Sequence, residues 1–64
     1  MALSIKQWRV LKGVTQADLA KGLGIQIATL RKYEAEPDKM PYGKIKKMTE
    51  LLQVDINEFD FFCN

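Results

Sequence analysis

Thr15-Gln16-Ala17-Asp18-Leu19-Ala20-Lys21-Gly22-Leu23-Gly24-Ile25-Gln26-Ile27-Ala28-Thr29-Leu30-Arg31-Lys32-Tyr33-Glu34 holds two helical patterns with almost nothing between them. Thr15 is a favoured N-cap, and Asp18 stands at the third helical position. Val14 and Leu19 flank that cap at the spacing of a hydrophobic staple, in which the residue before the cap packs on the fourth helical residue. Ile25 and Leu30 flank Gln26 in the same way. The spacing predicts helices over ~16–23 and ~27–35, linked only by Gly24, Ile25 and Gln26. So short a link holds two helices at a steep angle, the geometry of a helix-turn-helix. Ala20 lets the two backbones approach at the crossing, and Gly24 supplies a conformation that a side chain resists.

The same start signal recurs on both sides. Leu3 and Trp8 flank Ser4, with Gln7 placed to complete a capping box; Val54 and Phe59 flank Asp55, with Glu58 placed likewise. These predict helices over ~5–12 and ~56–61. Gly13 is positioned as a left-handed C-cap for the first. Ile45, Met48, Leu51 and Leu52 share one face and predict a helix over ~42–52, although Met40 is a poor cap and Gly43 weakens the first turn. No stretch alternates with a period of two, so the class is all-α: five helices in one domain over residues 1–64, with the helix-turn-helix at about 16–35. The faces predict a core of Ile5, Trp8, Val14, Leu19, Ala20, Leu23, Ile25, Leu30, Tyr33, Ile45, Met48, Leu52, Val54, Ile56 and Phe59.

Composition narrows the function. At 64 residues, 47% of them hydrophobic and 28% charged, the chain is a single globular unit near the lower size limit for folding unaided. There is no histidine, and the only cysteine, Cys63, closes no internal bridge and assembles no zinc site, so neither an enzyme nor a metal or other cofactor is expected. The N-terminal residues lack the pattern of a secretory signal, and no apolar run has the length of a membrane span, which together fit a cytoplasmic protein. The formal charge is only +2, but it is unevenly spread. Residues 1–33 carry Lys6, Arg9, Lys12, Lys21, Arg31 and Lys32 against Asp18 alone, whereas residues 55–64 carry Asp55, Glu58 and Asp60 with no cation. A nucleic-acid surface belongs to the basic part, although for charge alone solvated surface is the simpler explanation of such an imbalance.

The run from Thr15 to Glu34 resembles the phage Cro and repressor family of helix-turn-helix proteins, the lambda repressor-like or XRE type. The shared pattern is Thr-Gln, Leu-Ala, a Gly-apolar turn, an apolar residue, then Tyr-Glu at fixed spacing, and the likeness extends from about Ile5 to Phe59. The resemblance implies a five-helix domain whose third helix reads base edges in the major groove while its second crosses the backbone. It implies a regulator of transcription, Cro-like, acting in a bacterial cell or phage-infected host. Base-reading positions would be Ile27, Ala28 and Lys32, with Thr29 and Arg31 beside them. Gln16 matches a phosphate-binding position that also buttresses the reading helix, and Arg9 and Glu34 match a structural ion pair. Gln26 departs from the usual serine, Glu36 and Pro37 replace a Gly-containing turn, and Gln53 stands where glycine is common.

The residues support this independently. With Leu30 and Tyr33 buried, Ile27, Ala28, Arg31, Lys32 and Ala35 lie towards the opposite side of the helix. Ile27 and Ala28 there suit thymine methyl groups, and Lys32 or Arg31 suits guanine O6 and N7; Ile27 tucked under a neighbouring loop is the alternative. Gln16, Gln26, Lys39, Tyr42 and Lys44 are candidates for phosphate contact. One such domain buries only ~600–1,000 Å² on DNA, so a homodimer on an operator with two half-sites is expected. Phe61 and Phe62, in the tail 60–64, and Leu51 exceed what the core needs, so they fit either a two-fold contact or packing on the body near Leu11. A different use of the same fold is a protein-interaction or antitoxin-like adaptor module, with Ile27 and Ala28 against a protein.

Overall fold

Side chains that accept the first free amides set where each helix starts. In the computed structural model, which describes residues 2–61, α1 (Ile5–Leu11) begins with a complete capping box. Ser4 Oγ accepts from Gln7 N at 3.1 Å and Gln7 Oε1 accepts from Ser4 N at 2.9 Å. α2 (Gln16–Leu23) begins where Thr15 Oγ1 accepts from Asp18 N at 3.0 Å. It stops at Gly24, whose φ of 70° lets Ile25 N donate back to Ala20 O at 3.0 Å. α3 (Ile27–Ala35) follows directly, and α4 (Tyr42–Leu52) completes the set.

The expected fifth helix is instead a single 3-10 turn at Ile56–Glu58, so four helices and two such turns replace five helices. The reason is local competition for hydrogen bonds. Asp55 Oδ1 accepts from Asn57 N at 2.8 Å, two residues on, which closes a tight turn rather than a capping box. The Glu58 carbonyl then accepts from Leu3 N at 3.0 Å and Trp8 Nε1 at 2.6 Å, while Asp60 N donates to Leu3 O at 2.8 Å. Leu3 and Phe59 thus form an isolated parallel bridge, and no strand occurs among the described residues. The second 3-10 turn, Pro37–Lys39, carries the chain from α3 to α4.

Ile5, Leu19, Ala20, Leu23, Leu30, Met48, Leu52, Val54 and Phe59 form the buried centre, with Trp8, Val14, Ile25, Tyr33 and Ile45 packed half-buried around it. Two expectations fail. Met40 is buried at 4% exposure, because it follows the 3-10 turn rather than any helical period, and Ile56 is 38% exposed, because the tight turn at Asp55 rotates it outward between Val54 and Phe59. The Trp8 and Phe59 rings meet at 6.3 Å and 57°, pinning α1 to the C-terminal turn.

Candidate nucleic-acid interface

About 100° of rotation separates successive residues of α3, so Leu30, Tyr33 and Glu34 define one side and Ala28, Arg31, Lys32 and Ala35 the other. Leu30 is fully buried, Tyr33 half-buried and the Glu34 side chain largely buried, whereas Ala28, Arg31, Lys32 and Ala35 are exposed. Ile27 and Thr29 flank that outer face, Ile27 at 37% exposure and Thr29 half-buried. Ile27 is therefore not enclosed by a neighbouring loop.

Behind the outer face, a charged network fixes the angle of α3. The Arg9 guanidinium donates through Nε to Glu34 Oε2 at 2.8 Å and through Nη1 to the Val14 carbonyl at 3.0 Å. Both side chains are largely buried, at 10% and 8% exposure. Gln16 Nε2 donates to the other Glu34 oxygen at 2.8 Å, and Gln16 Oε1 accepts from Arg31 Nε at 3.4 Å. One carboxylate on α3 is thus held from α1 and α2 together, and Arg31 is oriented by the start of α2. Pairing both oxygens offsets the cost of taking charge out of water.

The remaining candidates surround α3. Gln26 is exposed and makes no capping bond from its side chain, so the first amides of α3 lack a side-chain acceptor. Tyr42 is 69% exposed at the first position of α4. Lys39 is exposed but paired with Glu36 at 2.8 Å. That hydrogen bond, with the opposite charge of each partner, holds the Glu36 carboxyl below its usual value and Lys39 above its own. Lys44 Nζ donates to the Leu23 carbonyl at 3.0 Å, closing the C-terminal end of α2. Sequence spacing holds no sign of this bond, because the partners are brought together only by packing α4 on α2. Phe61 is half-buried and folds back onto the body, packed against the core with its ring on Phe59, centroids 5.7 Å apart at 19°, while Leu11 stays 66% exposed. Phe62 lies outside the described residues.

Among the described residues no group of acidic, histidine or cysteine side chains is arranged to hold a metal ion, and no helix is long and apolar enough to cross a membrane. No curated protein and no solved structure gives a significant match to the chain. A profile of the helix-turn-helix family matches residues 5–59, which takes in all four helices and both 3-10 turns. With α2 and α3 set across a three-residue turn and α3 turning a cationic face outward, the chain belongs to the Cro/C1-type helix-turn-helix family of DNA-binding transcription regulators.

Proposed function

We propose that the protein is a sequence-specific repressor that binds a palindromic operator in double-stranded DNA as a homodimer, each copy acting through one helix-turn-helix domain in the cytoplasm of a bacterium or phage-infected cell. The observation that carries this reading is the exposed face of α3, where Arg31 and Lys32 stand beside Ala28 and Ile27 while Glu34 ties the helix from behind. Lys32 and Arg31 donate to guanine in the major groove, and Ile27 and Ala28 meet thymine methyl groups, with Thr29 at the edge of the contact. Gln16, Gln26, Lys39, Tyr42 and Lys44 take phosphates, which set register without reading sequence. No step in this function needs a cofactor.

Selection of bound duplexes from random DNA supplies the site, and two substitutions then separate the roles. Lys32→Ala is expected to cost ~1–3 kcal/mol on the selected site and relax choice at one base pair, whereas Lys44→Ala weakens all sequences about equally. A uniform loss from both would remove the assignment of Lys32 to base reading. Wild-type binding by a dimer that neutralises ~5–6 phosphates should fall with salt at a log–log slope near −5. A partner bound with almost no salt dependence would favour the adaptor function instead.

A further inference from the structure

The last turn of α2 and the first turns of α4 enclose an open cleft of about 570 Å³, into which Lys21, Lys44 and Lys47 converge over a floor that includes Gly22, Gly24 and Gly43. No carboxylate lines it. Among the described residues none of the three lysines is in an ion pair. Lys44 is held in place by the Leu23 carbonyl at 3.0 Å, while Lys21 and Lys47 stand exposed on either side. Three cations drawn from two helices repel one another, and an anion between them relieves that repulsion.

The dimensions say which anion. Gln16 opens α2 and Leu23 closes it, so the ends lie roughly 10 Å apart at ~1.5 Å per residue, close to the ~12 Å width of the major groove. A helix that crosses the backbone with Gln16 over one wall of the groove therefore brings its other end, with Lys21, towards the opposite wall. Gly24 and Gly43 in its lining have nothing within 4 Å of where a Cβ would stand, which leaves room there for a sugar-phosphate strand to approach closely. We infer that this lysine-lined cleft binds the DNA backbone on the far side of the groove, with Lys21 and Lys47 contacting phosphates that flank the bases read by α3. This inference rests on the DNA-binding function proposed above. It extends the footprint to Lys21 and Lys47, neither of which is among the phosphate contacts expected from the sequence.

The test measures salt dependence of binding by fluorescence anisotropy for wild type, the Lys21→Ala/Lys47→Ala pair and the charge-keeping Lys21→Arg/Lys47→Arg pair. Each is titrated against the selected site with several flanking base pairs and against the same site trimmed to the bases read by α3. On the long duplex the alanine pair should lose about 1.8 units of log–log slope per protomer, at ~0.9 per phosphate, with base preference and melting temperature unchanged and the arginine pair retaining the slope. On the trimmed duplex wild type and alanine pair should coincide. An unchanged slope on the long duplex, or an equal loss on both, would overturn the assignment. So would calorimetric binding of inorganic pyrophosphate that needs Lys21 and Lys47 while DNA binding does not, which would make the cleft a small-anion site. Failure of wild type to prefer any sequence would overturn the DNA-binding reading itself and is seen before any variant is made.

Discussion

Lys39 sits between two demands, a carboxylate it already holds and a phosphate it is proposed to meet. Both members of the Glu36–Lys39 pair are exposed, and water and salt weaken such a pair, so DNA can draw the ammonium away at small cost. Replacing Glu36 by Gln removes that competitor and a negative charge near the backbone. The variant should bind any duplex about two- to fivefold more tightly, by anisotropy at moderate salt, without a change in base preference. Titration of the free protein checks the pair itself. Lys39→Ala should raise the Glu36 carboxyl towards its ordinary value, read from its carboxyl carbon shift. The signs follow from the two shifts. Because the folded Glu36 value is depressed, its stabilisation is present above the ordinary carboxylate range and fades as pH falls through the lowered value. Because the Lys39 value is raised, its share is present below 10.5 and is lost as pH climbs through the raised value. Gln53 poses a second single-residue question, since it closes α4 at φ 57°, the left-handed region that favours glycine. Gln53→Gly should stabilise by about 0.5–1 kcal/mol, raising the melting temperature by several degrees in a domain this small, while DNA affinity stays constant.

Helix α3 is the element in which stability and function pull apart. Its first amides have no side-chain acceptor, because Gln26 is too long to fold back as serine does. Gln26→Ser should therefore stabilise the protein by about 1 kcal/mol in urea unfolding yet weaken DNA binding, since the contact proposed for Gln26 is lost. Opposite signs in the two measurements are the expected result; equal signs would take Gln26 out of the interface. The opposite end of α3 depends on Arg9. Removing it leaves Glu34 buried with only Gln16 beside it, and Arg9→Ala should cost ~3–5 kcal/mol, much of the stability a 64-residue domain possesses. The double change Arg9→Met/Glu34→Met should recover most of that loss. What could be read from the sequence follows the same division. Ser4, Thr15 and the staple pairs announce the starts of α1, α2 and α3, because caps and staples are local and depend on spacing alone. The turn at Asp55 carries the same signal and yields no α-helix, since Asp55 takes the Asn57 amide and Leu3 and Trp8, fifty or more residues away, take the Glu58 carbonyl. Met40 enters the core without a periodic pattern, and Lys21 meets Lys47 only through tertiary packing. Long-range competition and convergence leave no trace in local spacing.

For the whole molecule, size constrains how two copies meet on DNA. The Cα envelope measures 28 × 22 × 19 Å, whereas adjacent half-sites on one face of the duplex are ~34 Å apart. Even with long axes aligned, two such bodies leave a gap, so a two-fold contact depends on side chains projecting from the core. The proposed contact at Phe61 and Phe62 meets this requirement in one respect: Phe61 spends one ring face on Phe59 and remains only half-buried. The stack also separates two contributions. Phe61→Ser removes both an intramolecular aromatic contact, worth ~0.5–1.5 kcal/mol, and surface proposed for the partner copy. It should lower the melting temperature and weaken association together. Phe62→Ser is expected to weaken association. Sedimentation equilibrium across the concentrations that bind DNA should then show a wild-type dimer and monomers for both Phe61→Ser and Phe62→Ser, each melting lower because the stabilisation from association is lost. On a palindromic duplex the monomeric variants should bind half-sites independently, with the log–log salt slope per binding event about halved. A dimer that survives both substitutions, or a wild type that is monomeric at those concentrations, would place the two-fold contact elsewhere, and the exposed Val10 and Leu11 on α1, at 61% and 66%, would be the next surface to change.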